Sequence, residues 1–435
     1  MAKEDSHDAH QWEIVEKHLI RYGGEFARFF IHRAKGSYVY DQTGRAILDF
    51  TSGQMCAILG HNHPDILAAM QKSMDEVIHL FSGMLSPPVI ELASALAELL
   101  PPGLEKILLV NTGSESNEAA LRMAKLHTGG FEVVGFTDAW HGMTAGSSAS
   151  TFYAGHQGYG PGMPGSLALP SPNCYRCPIQ HCTDKCDMTC LDVGFDLVDR
   201  QSVGAYAAII VEPILSTGGV IPLPEGYLQR LLEKARQRGM LLILDEAQTA
   251  LGRTGTNFAF EHDGVTPDLL TLSKTLGAGL PLAATITSSE IEEDCHRKGF
   301  LFYTSHVSDP LPSQVGLAVL QVMQRENLSA RTRQLGDYLR KGLEQLQRDH
   351  ECIGDLRGRG LLLGVELVSD RETRAAANDL GARVSKRCLA LGLSMNIIQL
   401  PGTSSLFRIA PPLTVTHGEI DSALAILDQA LKECR

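Results

Sequence analysis

The chain has 435 residues, 44% of them hydrophobic and 20% charged, which is typical of a globular protein too long for a single core. Its net charge of −12 argues against a nucleic-acid partner or an anionic membrane surface. No apolar run reaches the roughly 18 residues of a transmembrane helix. The polar N-terminus lacks the features of a signal or transit peptide, so we expect a cytoplasmic protein.

The N-terminal part predicts a helix followed by a β-hairpin. Apolar residues recur at helical spacing over residues 11–34, so we expect a helix that ends near Gly36. Segments 37–41 and 46–50 flank a turn at residues 42–45 and predict two paired strands. They lead into the loop 51–55, where Gln54 offers a neutral donor and acceptor to a ligand. A solvent-exposed loop glutamine is the alternative interpretation of Gln54.

A glycine turn between a strand and a helix provides a candidate phosphate site. The apolar run 107–110 predicts the strand, and residues 118–126 follow a helical pattern. Free backbone N–H groups and the positive end of a helix together bind phosphate. We therefore expect Thr112, Gly113 and Ser114 to form a phosphate cup, although an ordinary helix cap has the same sequence signature.

Trp140 is one of two tryptophans and follows the predicted strand 131–136. Its flat ring could stack on a planar ligand at the end of that strand. A tryptophan packed in the core is the alternative. The next residue, His141, is expected to have a structural role.

Five of the ten cysteines crowd into a Gly/Pro-rich segment, residues 155–190. They are Cys174, Cys177, Cys182, Cys186 and Cys190, with His181 among them. In a reducing compartment such a cluster is more often metal-binding than disulfide-bonded. The spacing suits zinc or an iron–sulfur cluster, and free thiols on a surface loop are the alternative.

Three apolar runs each end in a charged residue: 207–211 at Glu212, 240–244 at Asp245, and 269–273 at Lys274. Such runs predict buried parallel strands, and ligands of parallel sheets bind at the carboxyl ends of strands. An acid and an amine at two such ends suit pyridoxal phosphate. The amine bonds to its aldehyde, and the acid keeps its pyridine nitrogen protonated. A buried Asp–Lys ion pair without a cofactor is the alternative.

The C-terminal part changes to a long helix near Val315, followed by alternating strands and helices. We therefore divide the chain into residues 1–60, 61–315 and 316–435. Residues 358–367 predict a turn and a strand, and residues 407–413 predict an edge strand stopped by prolines. Arg408 is the only basic residue of that run and suits a carboxylate ligand. An exposed strand arginine is the alternative.

The segments around the Asp–Lys pair resemble the class III aminotransferases, which are fold-type I pyridoxal-phosphate enzymes. The resemblance rests on residues 245–249, 252–255 and 272–274, and it extends from about Tyr22 to the C-terminus. It implies an α/β fold. A central, mostly parallel sheet flanked by helices would form a large domain. The N-terminal segment and the C-terminal part would form a smaller α+β domain.

Within this class, residues 50–55, 80–86 and 303–310 most resemble the 2,2-dialkylglycine decarboxylases. The implied reaction converts a 2,2-dialkylglycine, such as 2-aminoisobutyrate, and pyruvate into a ketone, CO2 and L-alanine. The alternative is an ω-aminotransferase that acts on an amine or ω-amino acid and a keto acid without decarboxylation. A third hypothesis is a non-catalytic protein that keeps the fold as a binding or assembly module.

The resemblance also implies a role for each matching residue. Lys274 would be catalytic, and Gln54 would contact the carboxylate that is lost. The cofactor would be held by Thr112, Gly113, Ser114, Trp140, Asp245, Gln248, Lys274 and Ser305. The substrate would be bound by Gln54, Met143, Thr217 and Arg408.

The loop that contains Ser305 implies a shared site and an ion. Ser305 would reach the cofactor of a neighbouring subunit, so the resemblance implies a homodimer, which could pair further into a tetramer. An alkali cation, K+ or Na+, would also bind near this loop, where the matching oxygens form a hard-ligand set. These oxygens belong to Leu80, Ser82, Ser305, Val307 and Asp309.

Overall fold

The computed structural model describes residues 2–23, 26–152, 159–179, 186–400 and 404–434. Its N-terminal elements are α1 (Ala2–His18), β1 (Ile31–Lys35), β2 (Tyr38–Asp41) and β3 (Ala46–Asp49). The predicted hairpin is confirmed, because β2 pairs antiparallel with β3. The predicted helix is wrong in its second half. The helix ends at His18, and β1 pairs with β2, so sheet pairing decides the conformation there.

The middle of the chain alternates strands and helices, as the apolar runs predict. Its helices are α2 (Pro64–Glu76), α3 (Pro87–Leu99), α4 (Gly113–Thr128), α5 (Ala145–Ala149), α6 (Thr189–Gln201), α7 (Tyr227–Arg236), α8 (Ser289–Arg297) and α9 (Pro310–Arg325). Its strands are β4 (Lys106–Val110), β5 (Glu132–Phe136), β6 (Ser166–Leu169), β7 (Tyr206–Val211), β8 (Ile214–Leu215), β9 (Ile221–Pro222), β10 (Leu241–Asp245), β11 (Leu269–Leu272) and β12 (Ala283–Thr287). Short 3-10 turns cover Cys174–Arg176, Ala259–His262 and Lys274–Gly277.

These strands form a seven-stranded sheet in the order β4-β12-β11-β10-β7-β5-β6. Strand β12 runs opposite to the other six strands of this sheet. Every residue of β10 and β11 is buried, which explains why these strands are almost wholly apolar in sequence. The expected α/β fold with a central, mostly parallel sheet is confirmed.

The C-terminal part adds a second, antiparallel sheet. Its elements are α10 (Leu328–Asp349), β13 (Ile353–Arg359), β14 (Leu362–Asp370), β15 (Ala375–Ala376), α11 (Asn378–Leu391), β16 (Leu393–Ser394), β17 (Asn396–Leu400), β18 (Ser404–Ile409) and α12 (His417–Glu433). The sheet has the order β13-β14-β18-β17, with β15 on β14. The predicted edge strand is wrong, because β18 lies between β14 and β17. Pro411 and Pro412 follow this strand, so they remove no hydrogen bond from its ladder.

The two ends of the chain meet in one small sheet. Strand β16 pairs in parallel with β3, so a C-terminal strand completes the N-terminal sheet β1-β2-β3-β16. The expected boundaries at residues 60 and 315 stay a prediction. Among the described residues, we find no helix with both the length and the apolar character that a membrane crossing requires.

The register of the central sheet brings the charged strand ends together. Strand β10 pairs with β7 on one side and with β11 on the other, and Asp245 lies opposite Thr271. Because all three strands run in the same direction, Glu212, Asp245 and Lys274 lie at or just after their carboxyl ends, at one edge of the sheet. This edge is where ligands of open α/β sheets bind.

Candidate active site

A cavity of about 370 Å³ opens at this edge of the central sheet. Its walls come from five different segments that the strand order brings together. The lining residues are Cys56, Asn111, Thr112, Gly113, Ser114, Asn117, Trp140, His141, Gly142, Asp245, Ala247, Ser273, Lys274, Gly279, Leu280, Pro281 and Leu282. The structure thus brings the predicted acid, amine, phosphate cup and tryptophan into one space.

Asp245 is buried and held by three hydrogen bonds. Its Oδ2 accepts from Asn117 Nδ2 at 2.8 Å and lies 2.9 Å from His141 Nδ1, and its Oδ1 accepts from the Ala247 N–H at 3.0 Å. Burial alone would raise the pKa of this carboxyl. The contact with His141, the charge of Lys274 and the Ala247 N–H together hold the pKa below its ordinary value. Asp245 therefore stays ionised inside the cavity.

Lys274 follows β11 at the start of a 3-10 turn, with a φ of 34°. This left-handed conformation is unfavourable for a lysine and is of the kind found at functional sites. Burial lowers the pKa of its amine, although attraction to Asp245 opposes the shift. The lowered pKa makes the neutral, nucleophilic form of the amine easier to reach.

The N-terminus of α4 forms the floor of the predicted phosphate cup. Thr112 caps the helix: its hydroxyl accepts from the Glu115 N–H, and the Glu115 carboxylate accepts from the Thr112 N–H. The N–H groups of Gly113 and Ser114 belong to the first turn, where a helix offers no partners of its own. Beside them, the Ser273 hydroxyl is buried without a hydrogen-bond partner among the described residues.

Trp140 is positioned by Glu212 at the end of β7. The Glu212 carboxylate accepts from the Trp140 N–H at 3.0 Å and from the Ser216 N–H at 3.2 Å. Burial raises the pKa of Glu212 to about 7. Gly142 has a φ of 135°, and a Cβ there would collide with the hydroxyl of Ser114. This glycine lets the tryptophan loop lie directly against the phosphate cup.

A second polar cluster surrounds Arg408 beside the cavity. Its Nη1 donates to Gln248 Oε1 at 3.0 Å and to the hydroxyls of Thr217 and Ser216, both at 3.4 Å. Gln248 Nε2 donates to the Thr217 hydroxyl at 3.2 Å. Arg408 is buried, so the alternative of an exposed strand arginine is wrong. Its charge is close enough to Lys274 to lower the pKa of that amine.

A family model, "Aminotransferase class-III", matches residues 21–431 of this chain. The chain belongs to the class III aminotransferases. An uncharacterized aminotransferase of Schizosaccharomyces pombe is 53% identical over 97% of this chain and 94% of that protein. A leucine/methionine racemase of Thermococcus litoralis is 33% identical over 92% of this chain and 90% of that protein.

A solved structure agrees with this membership. An aminotransferase of Bacillus anthracis superposes with a TM-score of 0.91 over 100% of this chain and 99% of that chain, at 28% sequence identity. The resemblance to class III aminotransferases is confirmed, whereas the particular resemblance to the dialkylglycine decarboxylases stays a prediction. Class III aminotransferases use pyridoxal phosphate, and the cavity of this chain suits it. Asp245, the amine of Lys274 and the N-terminus of α4, whose first-turn N–H groups have no partner within the helix, surround one space.

In this class III aminotransferase the loop with Gln54 is held in an unusual conformation. Ser52, Gly53, Gln54 and Met55 all have φ between 42° and 65°. Asp49 holds the loop, because its carboxylate accepts from the N–H groups of Thr51 and Gly53 and from the Thr51 hydroxyl.

Gln54 itself is exposed and does not line the cavity, although Cys56 of the same segment does. Its expected contact with a substrate stays a prediction.

Met143 and Ser305 lie outside the cavity. Met143 is 57% exposed and lines a neighbouring cavity of about 350 Å³. Ser305 is exposed on a turn, so this single chain does not bring it to the cavity. Its expected contact with a second subunit stays a prediction.

The five positions expected to bind an alkali ion lie on two loops that meet at Asp309. Both oxygens of Asp309 contact imidazoles, His79 Nδ1 at 2.6 Å and His306 Nδ1 at 2.7 Å. Leu80 and Ser82 lie beside His79, and Ser305 and Val307 lie beside His306. The carboxylate is thus engaged by two histidines in this structure, and the ion stays a prediction.

Some residues at this aminotransferase site were missed by reasoning from sequence. Asn117 donates to Asp245 and to the His141 carbonyl, and its own oxygen accepts from the Thr271 hydroxyl at 2.7 Å. Asn117 lies one helical turn beyond the phosphate cup, and that spacing was the available signal. Ser273 precedes the lysine. Its hydroxyl lies beside Gly113 in the folded structure, and the sequence carries no signal of this contact.

Proposed function

We propose that this protein transfers an amino group between an amine or amino acid and a keto acid, using pyridoxal phosphate. The observation that carries the proposal is that Asp245 and Lys274 face the same cavity as the N-terminus of α4. When bound, pyridoxal phosphate supplies an aldehyde that takes up the amino group and a ring that withdraws electrons. Membership in the class III aminotransferases supports this reading.

The residues of the cavity divide the binding of the cofactor among them. The first turn of α4 would hold the phosphate, with Ser273 as a further donor. The ionised carboxylate of Asp245 would hold the pyridine nitrogen protonated, and Trp140 would cover one face of the ring. Asp245, the N-terminus of α4 and the backbone of Trp140 are each held by other residues, so these parts of the site need little reorganisation on binding.

Lys274 would then act as the proton carrier of the reaction. Once the substrate amine has replaced it, its Nζ is a free base inside the cavity. It would remove the proton from the substrate Cα and deliver it to the aldehyde carbon of the cofactor, on the other side of the transferred nitrogen, as general base and then general acid. Its lowered pKa favours the unprotonated form that the first step requires.

Arg408 would bind the carboxylate of the amino acid or keto acid. A planar guanidinium forms two parallel hydrogen bonds with a carboxylate, and burial strengthens them. Its contacts with Gln248 and Thr217 fix the guanidinium before a substrate arrives. This arrangement favours substrates with a carboxylate over simple amines.

Decarboxylation of a 2,2-dialkylglycine is a second candidate reaction, favoured by the loop 52–55. Consecutive left-handed residues cost free energy, on the order of 1–3 kcal/mol for each residue other than glycine. Such a loop persists only because Asp49 and other contacts hold it, and strain of this kind is concentrated at functional sites. We infer that the loop presents Gln54 to a substrate carboxylate that is lost as CO2.

We also propose that the protein works as a homodimer. The loops 77–86 and 299–309 are joined through Asp309 and its two histidines. Together they expose several large apolar side chains, each at least 60% exposed. These are Phe81, Met84, Leu85, Leu301 and Tyr303. A second copy that covers them would also place Ser305 where the resemblance expects it, at the cofactor of the other subunit.

One assay tests the proposed reactions. The protein loaded with pyridoxal phosphate is incubated with pyruvate and, separately, with 4-aminobutyrate, ornithine, β-alanine or 2-aminoisobutyrate. L-Alanine formed without CO2 supports plain transamination, and L-alanine with equal acetone and CO2 from 2-aminoisobutyrate supports the decarboxylating reaction. No L-alanine from any donor, despite bound cofactor, would contradict both.

Lys274→Ala provides the matched control for the assay. This variant should lower turnover by at least about 10²-fold, because it removes the general base. Borohydride reduction and peptide mapping of the wild-type protein should label Lys274. A label on another lysine would show that a residue other than Lys274 bonds to the cofactor, and would contradict the proposed role of Lys274.

A further inference from the structure

The cysteine-rich segment outside the cavity does not form a metal site in the part of the chain that the structure describes. Four of its cysteines are free thiols, and no three of them lie close enough to share one ion: Cys174, Cys177, Cys186 and Cys190. Cys182 and His181 lie outside the described residues. The expected zinc ion or iron–sulfur cluster therefore stays a prediction.

His61 lies between β3 and α2, does not line the cavity, and is held in place by its backbone. Its N–H donates to the Gly36 carbonyl at 2.8 Å, and its own carbonyl accepts from the Gly36 N–H at 2.9 Å. Gly60, directly before it, has a φ of 84°, and a Cβ there would lie 3.1 Å from the Gly36 backbone. The glycine allows this close approach, which fixes the position from which the His61 side chain extends.

The imidazole of His61 reaches back to the end of β3. Its Nε2 lies 2.9 Å from Oδ2 of Asp49, whose carboxylate is almost completely buried. Burial alone would raise the pKa of this carboxyl, but the contact with His61 and the donors of Thr51 and Gly53 hold the pKa below its ordinary value. An ionised carboxylate only accepts hydrogen bonds, so the imidazole Nε2 is the donor.

The same carboxylate holds the loop that carries Gln54. Oδ1 of Asp49 accepts from the N–H and the hydroxyl of Thr51 at 3.0 and 2.6 Å, and Oδ2 accepts from the Gly53 N–H at 2.8 Å. These three donors belong to the loop itself, whereas His61 comes from a segment that is held elsewhere. His61 therefore fixes the rotation of the Asp49 carboxylate, so that both oxygens face the loop.

The imidazole ring also limits where the loop can lie. A Cβ on Gly53 would lie 3.3 Å from Cε1 of His61, so the loop passes directly against the ring. All residues of the loop 52–55 have positive φ, a conformation that persists only where other contacts hold it. Cys56 follows the loop and lines the cofactor cavity. A shift of the loop would therefore move a wall of the cavity as well as Gln54.

We propose that His61 is a positioning residue: it orients Asp49, and Asp49 holds the loop 52–55 so that Gln54 faces a substrate carboxylate. The inference rests on the proposed decarboxylating function, in which Gln54 contacts the carboxylate that is lost. His61 acts by stabilising one conformation of a strained loop. Its effect should therefore appear in the reaction that needs Gln54 and not in the binding of the cofactor.

His61→Gln and His61→Asn form a matched pair of variants. The amide nitrogen of glutamine can occupy nearly the same place as the imidazole Nε2, so His61→Gln should keep the hydrogen bond to Asp49. Asparagine carries the same amide on a side chain one methylene shorter and should not reach the carboxylate. Release of CO2 from 2-aminoisobutyrate should fall about 10-fold or more in His61→Asn, the cost of a hydrogen bond to a charged group. It should stay within about 3-fold of the wild-type rate in His61→Gln.

Amino transfer from L-alanine and the apparent Kd for pyridoxal phosphate provide the controls within each variant. Both should change little, because neither requires Gln54. His32→Asn alters an exposed histidine on β1 of the same small sheet and should leave all three measurements unchanged. An equal loss of CO2 release in His61→Gln and His61→Asn, or an equal fall in both reactions, would overturn the proposal.

Hydrogen exchange of the protein loaded with cofactor separates this inference from the proposed function. Exchange in residues 51–57 should be faster in His61→Asn than in the wild type and His61→Gln, and exchange in residues 241–245 should be the same in all three. Unchanged exchange in residues 51–57 would refute the positioning role, whatever reaction the enzyme catalyses. A wild type that releases no CO2, but whose loop exchanges faster in His61→Asn, would contradict decarboxylation and support the role of His61 in holding the loop.

His61→Gln remains decisive even where His61→Asn fails to fold. Wild-type exchange in residues 51–57 of His61→Gln would support the proposal, because the amide then replaces the imidazole as the donor to Asp49. Faster exchange there, in a folded variant that still binds the cofactor, would overturn it.

Discussion

Asp245 keeps its charge inside a buried cavity because residues from other elements donate hydrogen bonds to it. One of these, Asn117, can donate only when its amide nitrogen faces Asp245, and the Thr271 hydroxyl and the His141 carbonyl together fix that orientation. Thr271 does not itself line the cavity, and its hydroxyl reaches the cofactor site through Asn117, which does. The binding of the cofactor should therefore depend on a hydroxyl that never meets it.

Thr271→Val should weaken cofactor binding. Without the hydroxyl, the Asn117 amide loses one of the contacts that orient it, and its position is then held only by its donation to the His141 carbonyl and to Asp245. The apparent Kd for pyridoxal phosphate should rise about 10-fold, in line with a lost hydrogen bond to a charged group. A fluorescence titration of the cofactor-free protein measures the change. Thr271→Ser keeps the donor and should bind nearly as wild type, and equal weakening in both variants would point to packing instead.

Gln54→Ala should separate the two candidate reactions. If Gln54 contacts the carboxylate that is lost, turnover of 2-aminoisobutyrate should fall about 10-fold or more, the cost of a hydrogen bond to a charged group. Amino transfer from L-alanine should change little, because the Cα proton is then removed without loss of CO2. Rates of CO2 and pyruvate formation provide the readout. The exposed Gln71→Ala is the control, and a parallel fall in both reactions would count against a decarboxylating role.

The sequence predicts those residues of the site that directly follow apolar strands. The ends of apolar strands carry Asp245, Lys274 and the phosphate cup at residues 112–114. At these positions the apolar pattern of a strand and the capping residues of a helix can both be recognised in the sequence. The sequence does not predict the roles of Asn117 and Thr271. A polar residue on a helix or within a strand gives no indication, in the sequence around it, of the residue that it will contact. Their pairing depends on which strand lies beside which helix.

At the scale of secondary-structure elements, Glu246 joins the end of β10 to a distant turn. Its carboxylate accepts from the N–H groups of Ala259 at 2.8 Å and Phe260 at 2.9 Å, and from the Thr249 hydroxyl at 3.0 Å. Burial raises the pKa of Glu246 to about 7 from its ordinary value of 4.5. Glu246 therefore keeps its proton up to about pH 7 in the folded protein, whereas in the unfolded chain it loses the proton near pH 4.5.

This shift predicts a pH-dependent contribution to stability. Between pH 4.5 and 7 the folded state binds more protons than the unfolded state, so the contribution of Glu246 falls as the pH rises. Compared with Glu246→Gln, the wild type should lose up to about 3 kcal/mol of unfolding free energy across this window. Urea unfolding at several pH values tests it. The exposed Glu91→Gln should show no such difference, and a parallel pH profile for Glu246→Gln would refute the assignment.

Elements with a self-contained pattern were predicted, and those fixed by distant partners were not. The hairpin of β2 and β3 follows from alternating residues around a turn, and its bounds match within a residue. The sequence predicts helix at β1, because its strand conformation depends on pairing with β2. It predicts an edge strand at β18, because nothing in the sequence of β17 assigns it to the second side of β18.

At the scale of the whole molecule, the exposed apolar loops should decide the oligomeric state. Leu85→Glu or Leu301→Glu places a charge in the proposed interface, so we expect monomers at concentrations where the wild type is a dimer. Sedimentation analysis measures the change. Val203→Glu alters an equally exposed residue elsewhere and should leave the dimer intact. A wild-type protein that sediments as a monomer would end this proposal.

The reversed direction of β12 has a consequence for how the reactive amine can move. Because β12 returns beside β11, the ten residues 273–282 that contain Lys274 are anchored at both ends in adjacent strands. Such a short bridge cannot swing aside as a free lid does. The amine must therefore stay within reach throughout a catalytic cycle, even when it is detached. Opening and closing around a substrate would have to come from segments on the opposite wall.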